Sequence, residues 1–307
     1  MNSKRVKAYA CLVLYSLVVG FSFLGVKVAL NAAEPILAMA YRFDVAFLAM
    51  LLLILFRVVK VHISLRNKAV IVSTIAYISF FGFQAYALNY STSIVSGIIF
   101  ALIPVITRFI AGVVLKESTN WRQNLFIMMS VTSVIILFAM SAGGGFKEAT
   151  PLGYVLLVIS CVCGASSNVF LRYVRDDYTP ADLSFFITAL GFVVFNILAV
   201  RGCLSNGGIQ SYFEPFSDRT FIIVILYLGI MCTLISSWCL SYSLANVEAM
   251  NATIFGNLST VISVIAGAVI LKEPLHLYQV ICALFVITGV FGVSYFGEKR
   301  KAKGIDA

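Results

Sequence analysis

From Ala69 to Thr107 the chain carries no charged side chain. As one helix this stretch would be about 58 Å long at ~1.5 Å per residue, nearly twice a bilayer core of about 30 Å. It must therefore cross twice, and the polar patch "NYSTS" at Asn89 to Ser93 is the natural turn. The stretch from Phe221 to Leu271 behaves alike, broken only by "ANVEAMN" around Glu248. Runs of this kind recur from end to end, and only 11% of the residues are charged, against about 25% in a soluble domain. With 61% hydrophobic residues and a mean hydropathy of +1.00, the chain reads as an all-α integral membrane protein.

Two hairpins bring the expected spans to ten: 8–30, 36–56, 69–89, 92–115, 123–141, 152–173, 183–201, 220–243, 249–271 and 277–297. The first follows a basic start but is too long and uncharged for the apolar core of a signal peptide, so it reads as a retained helix. Lys and Arg fix the direction. With the N-terminus inside, fifteen of them fall on the cytoplasmic side and four, Lys147, Arg201, Arg219 and Lys272, outside. Both termini are then cytoplasmic. The net charge of +9 belongs to these short loops and tails, which is a topology pattern and not a nucleic-acid surface. Compact tails and loops suggest the inner membrane of a bacterium or archaeon.

"VVLKEST" at Val113 to Thr119 has a near twin, "VILKEPL", at Val269 to Leu275. At the same offset of 156, Tyr86, Leu88, Ile98 and Leu102 recur as Tyr242, Leu244, Ile254 and Leu258, and Gln123, Thr132 and Val134 as Gln279, Thr288 and Val290. Two five-helix units result, residues 1–146 and 147–307. Because five is odd, the second enters the membrane upside down, so the ten helices form two inverted repeats. Such repeats underlie alternating access, with substrate held near the midplane. On this reading Lys116-Glu117 lies inside and Lys272-Glu273 outside.

The segments "GFSFLGVK" (Gly20 to Lys27), "EPILAMAYRF" (Glu34 to Phe43), "ALNYSTSIVSGIIFALIPV" (Ala87 to Val105) and "LKEPLHLYQ" followed by Gly289 resemble the EamA-type branch of the drug/metabolite transporter superfamily. The resemblance covers essentially the whole chain. It implies ten helices, a central cavity between the halves, and movement of small metabolites, often outward. Val19 stands where the family often has Trp, Cys163 holds the matching place in the second half, and Thr260 replaces a frequent Pro, whereas Pro104 is kept. Polar and aromatic residues on the helices expected to flank the cavity are Phe21, Ser22, Gln84, Tyr86, Phe100, Asn168, Trp238, Tyr242 and Asn257. Each is a candidate for substrate contact, with helix packing or an interfacial position as the alternative.

Charged groups inside the spans need partners. Lys27 and Asp44 lie in the outer parts of the first and second helices. A Lys27–Asp44 pair would brace them, with Arg42 reaching the interface; alternatively Asp44 couples transport to protons. Arg42 and Asp44, two apart, do not share a helix face. Arg108 either snorkels to the cytoplasmic interface or holds an anionic or zwitterionic substrate in the inward cavity.

Enzyme chemistry has little to work with. His62 and His276, the only histidines, fall in loops, the seven cysteines are scattered as small apolar packing residues, and no P-loop, HExxH or Rossmann fingerprint is present. No cofactor, metal or nucleic acid is expected; the partners are a small-molecule substrate and the lipid bilayer. The expected function is secondary transport of an amino acid or related solute, by export. An importer on the same fold, or a non-transporting scaffold or sensor, are the alternatives.

Overall fold

In a computed structural model, residues 3–63, 67–114, 120–143, 149–174, 177–206, 210–246 and 249–301 are described. The described residues are almost wholly helical. In chain order the helices are α1 (Ser3–Ala29), α2 (Pro35–Leu55), α3 (Ala69–Asn89), α4 (Ser93–Phe100), α5 (Ile103–Val114), α6 (Trp121–Gly143), α7 (Pro151–Val174), α8 (Pro180–Asn206) and the short α9 (Gln210–Phe213). A 3₁₀ turn at Glu214–Ser217 leads into α10 (Arg219–Leu226), a π-helical segment (Tyr227–Ile235), α11 (Ser236–Asn246), α12 (Ala249–Val269) and α13 (Leu277–Lys301).

Among the described residues, eight helical spans are long and apolar enough to cross a membrane, and two shorter apolar stretches, Leu258–Val269 and Leu277–Val293, lie in α12 and α13. The protein is a multi-pass membrane protein. Two expected spans are not uniform helices. The one over 92–115 breaks between α4 and α5, just before Pro104. Proline lacks the N–H that an α-turn requires and its ring clashes with the carbonyl four residues earlier, here that of Phe100. The span over 220–243 carries the nine-residue π-helical segment in its middle, for which the sequence "YLGIMCTLI" gives no warning. The turn at "NYSTS" forms as expected, with Asn89 ending α3 and Thr92 capping α4. The Lys116-Glu117 mark and Glu248 lie outside the described residues.

Serine hydroxyls and small residues join the helices, as expected where lipid removes the hydrophobic drive for helix association. Between α3 and α7, Ser160 donates to the Phe80 carbonyl at 2.8 Å and Ser73 to that of Ser167 at 3.3 Å. Ser16 of α1 donates to Phe255 of α12 at 2.6 Å, and Ser243 of α11 to Ala8 of α1 at 3.0 Å. Aromatic packing fastens α2 to α8, where the Phe43 and Phe195 rings stack at 5.1 Å.

Helices α6 and α13 run antiparallel in close contact. Gln123, near the start of α6, donates from Nε2 to the Val293 carbonyl at 3.1 Å, and Ser130 Oγ lies 3.5 Å from the Val286 carbonyl. A Cβ on Gly289 would stand 2.0 Å from Ser130 Oγ and 2.8 Å from the Phe126 carbonyl, so glycine is what lets the two backbones approach. Both helices start alike. Gln123 Oε1 accepts from the Asn120 N–H at 3.0 Å, and Gln279 Oε1 from the His276 N–H at 2.9 Å. Each is the back-reaching half of a capping box.

Candidate functional site

Three groups of polar side chains lie among the spans. The first centres on Arg42, seven residues into α2 and about 10 Å from its N-terminal end at ~1.5 Å per residue. The expectation that Arg42 reaches the membrane interface is not met, because it is only 2% exposed. Its guanidinium lies over the Phe81 ring, 4.1 Å from the centroid, and its Nε donates to Thr233 Oγ1 at 3.2 Å. Thr233 belongs to the π-helical segment and itself donates to the Leu228 carbonyl five residues back. Nη1 finds no hydrogen-bond partner among the described residues. The titratable side chains facing the guanidinium are Cys232, Tyr77 and Tyr227, none of them a carboxylate.

The second group holds Asp44. Lys27 does not reach it. Asn196 of α8 donates to Asp44 Oδ1, and the Tyr212 hydroxyl stands 3.3 Å from Oδ2 and closer to Asn196 Oδ1. One phenolic proton cannot serve both acceptors fully, and the shorter contact goes to Asn196. Tyr212 sits outside the spans, on α9. Burial, and then the charge of Asp44, push its phenol above the ordinary tyrosine range, so it stays a protonated donor. The α9 segment and the 3₁₀ turn after it are held by rings: Tyr41 meets Tyr212 and Phe216 edge-on at 5.1 and 4.7 Å.

The third group gathers where α1, α3 and α12 end and α4 begins. Lys27 Nζ donates to the Leu88 carbonyl and, at 2.7 Å, to that of Ser91. The first belongs to the last turn of α3, where a cation is favoured, and the second to the turn that follows it. Glu273 accepts from Ser93 N at 2.9 Å, Ser93 Oγ at 2.7 Å and Ile94 N at 3.1 Å. Thr92 Oγ1 takes the Val95 N–H at 3.2 Å, so the first three free N–H groups of α4 are satisfied by side chains. Lys272, at φ 54°, turns the chain out of α12 in the left-handed region, and the Glu273 N–H returns to the Gly267 carbonyl at 3.1 Å. The Leu-Lys-Glu mark therefore ends one helix and caps another, 180 residues away in sequence.

An all-helical, multi-pass chain with buried polar groups between its helices is the frame of many solute carriers, and comparison with known proteins decides which kind. The model of the EamA-like transporter family matches residues 6–139 and 151–295. The chain belongs to that family. As an EamA-family transporter it is 37% identical to the uncharacterized transporter YcxC of Bacillus subtilis, over 100% of this chain and 99% of the relative. It is 22% identical to a protein of Escherichia coli named as a probable amino-acid metabolite efflux pump, over 92% and 93% of the two chains. One solved crystal structure shares the fold with a TM-score of 0.63 at 14% identity, covering 97% of this chain and 99% of that one.

The EamA fold of this chain distributes the other sequence candidates unevenly. Gln84 is buried, with Oε1 unpartnered among the described residues. It follows Tyr77 and Phe81 on one stripe of α3, at helical spacings of four and three. Phe100 is buried between the Phe23 and Phe80 rings, at 5.2 and 5.5 Å. Ser22 is buried and donates to the Val19 carbonyl at 2.7 Å, while Phe21 and Arg108 are half-buried. Tyr86, Asn168, Trp238 and Tyr242 are exposed. The side chain of Asn257 lies outside the described residues. The sequence reading missed Thr233, Tyr77, Phe81, Asn196 and Tyr212. Asn196, an amide inside the apolar run "VVFNIL", carried a signal that could have been read.

Proposed function

We propose that this EamA-family transporter is a secondary carrier that moves a small organic metabolite, an amino acid or related solute, outward across the cytoplasmic membrane by alternating access. It has ten spans, with α12 and α13 as the last two, arranged as two inverted five-helix repeats over 1–146 and 147–307. One observation carries the reading. Ser130 and Val286, which meet across α6 and α13, are 156 positions apart, the offset that aligns the two sequence halves. In a two-fold arrangement equivalent residues can touch only at the axis, and antiparallel counterpart helices meet there. The matched caps at Gln123 and Gln279 support the same offset. The excess of Lys and Arg on one side supports cytoplasmic termini, and the Escherichia coli relative, a probable amino-acid metabolite efflux pump, supports export of amino-acid metabolites.

Purified protein in proteoliposomes tests this with labelled amino acids, nucleosides and amines. Counterflow of at least one amino acid or related metabolite is expected, and inside-out membrane vesicles should accumulate it. A well-folded preparation that moves nothing in the panel would favour the scaffold reading. Accumulation only in right-side-out vesicles would reverse the direction.

Asp44 is the proposed coupling carboxylate, since its contacts are neutral side chains that accommodate either protonation state. Asp44→Asn is expected to abolish accumulation driven by a pH gradient while leaving passive exchange. Wild-type transport indifferent to the gradient removes this role.

A further inference from the structure

We infer that Arg42 is the anchor for the carboxylate of a monoanionic or zwitterionic solute, bound between the two halves of the chain beside the π-helical segment. The inference rests on the transport reading above and adds to it the charge and chemical class of the ligand. Its starting point is an imbalance. Arg42 is 2% exposed, yet the titratable groups around it are a thiol and two phenols, and the nearest carboxylate in sequence, Asp44, bonds instead to Asn196 and Tyr212. A buried cation without a counter-charge is costly in a membrane interior. The face contact with Phe81 offsets only part of that cost.

The geometry limits what can supply the missing charge. The guanidinium carbon lies over the Phe81 ring and Nε is engaged by Thr233. What remains for a ligand is the Nη end of the group, where Nη1 has no hydrogen-bond partner among the described residues. Two parallel N–H donors on a planar edge match a carboxylate. A carboxylate brings one negative charge to that edge, whereas a phosphate dianion brings a second negative charge that no other cation around Arg42 meets. One turn along α3 from Phe81, Gln84 offers a second buried and unpartnered group, its Oε1. An acceptor there suits the ammonium of a zwitterion.

Position fits as well. Arg42, Phe81 and Tyr77 come from α2 and α3, whereas Thr233, Cys232 and Tyr227 come from the second half. The ligand would thus be grasped by both halves, and it can reach Arg42 only when they part. The π-helical segment supplies Thr233, and such segments recur at functional sites. A Cβ on Gly229 would stand 3.0 Å from the Arg42 carbonyl, so this segment presses directly on the turn of α2 that carries the arginine.

The test uses the full chain in lipid nanodiscs and matched probes: benzoate against benzamide, and L-leucine against L-leucinamide, with inorganic phosphate as a further arm. Thermal stabilisation by benzoate or L-leucine, but not by the amides or phosphate, is expected. Arg42→Gln should weaken the carboxylate response roughly 10- to 100-fold. Its melting temperature without ligand should hold or rise, because the variant sheds a buried unpaired charge. Arg42→Lys, which keeps the charge without the planar edge, should recover only part of the response.

Stabilisation by amides as strongly as by acids, or by phosphate alone, would overturn the inference. So would an Arg42→Gln variant that melts lower and still responds to carboxylates, since that marks a packing brace. Flux of a neutral solute in proteoliposomes with no carboxylate response sinks the site and leaves the transport reading intact. A carboxylate response lost in Arg42→Gln, with no flux of any solute, does the reverse.

Discussion

Gly289→Val is expected to be among the most damaging single substitutions in the chain, destabilising it by about 3 kcal/mol or more, at the upper end of what overpacking costs. A Cβ at this position would approach Ser130 Oγ to 2.0 Å and the Phe126 carbonyl to 2.8 Å. The serine can rotate away, but the carbonyl belongs to the α6 backbone and moves only if the helix moves. Separating α6 from α13 would also pull Gln123 from the Val293 carbonyl, leaving buried polar groups without partners. Thermal unfolding in detergent should show Gly289→Val lowest and Gly289→Ala between it and wild type. Adding Ser130→Ala to Gly289→Ala should recover only part of the loss, because the Phe126 contact remains. Full recovery in that double variant would mean the backbone is not the obstacle.

Glu273→Ala is expected to cost about 2–3 kcal/mol, since it leaves the Ser93 and Ile94 N–H groups at the start of α4 without their charged acceptor. Glu273→Gln keeps one acceptor oxygen and loses the charge, so its cost should be about half as large. The effect should also spread to the contact between halves, because Glu273 and Ser93 belong to opposite ones. Limited proteolysis of the loops flanking α4 and α12, alongside the melting temperature, checks this. Equal stability of Glu273→Ala and wild type would show that solvent replaces the carboxylate without loss.

The sequence was most informative where a constraint acts along the chain. The charge-free run from Ala69 to Thr107 demanded a turn, and "NYSTS" supplied it at the position found. Depth was also legible: Arg42, Asp44 and Lys27 lie inside helices, as their place in the apolar runs required. Direction around each helix was not. Two charges at similar depth invited a Lys27–Asp44 pair, but which helices are neighbours depends on packing at distant positions. Lys27 turns toward the end of α3, and Asp44 toward α8. Arg42 looked long enough to escape to the interface, and only the arrival of Phe81 and Thr233 from other helices buries it. The π-helical turn went unread because no proline or charge marks it. Glu273 was visible as punctuation, but the helix that it caps could not be named from spacing.

The cap on α4 also has a consequence for how the chain is made. Residues 93 and 273 are 180 positions apart, and a ribosome adding about 5–20 residues per second needs roughly 10–40 s to cover that distance. For that interval α4 is in the membrane with the start of its helix awaiting an acid that has not yet been synthesised. The first half can therefore be inserted early but not finished, because this cap, like the contacts of α6 with α13, arrives only with the second. A chain split between α6 and α7 should reassemble when both pieces are produced together, with the early piece short-lived when produced alone.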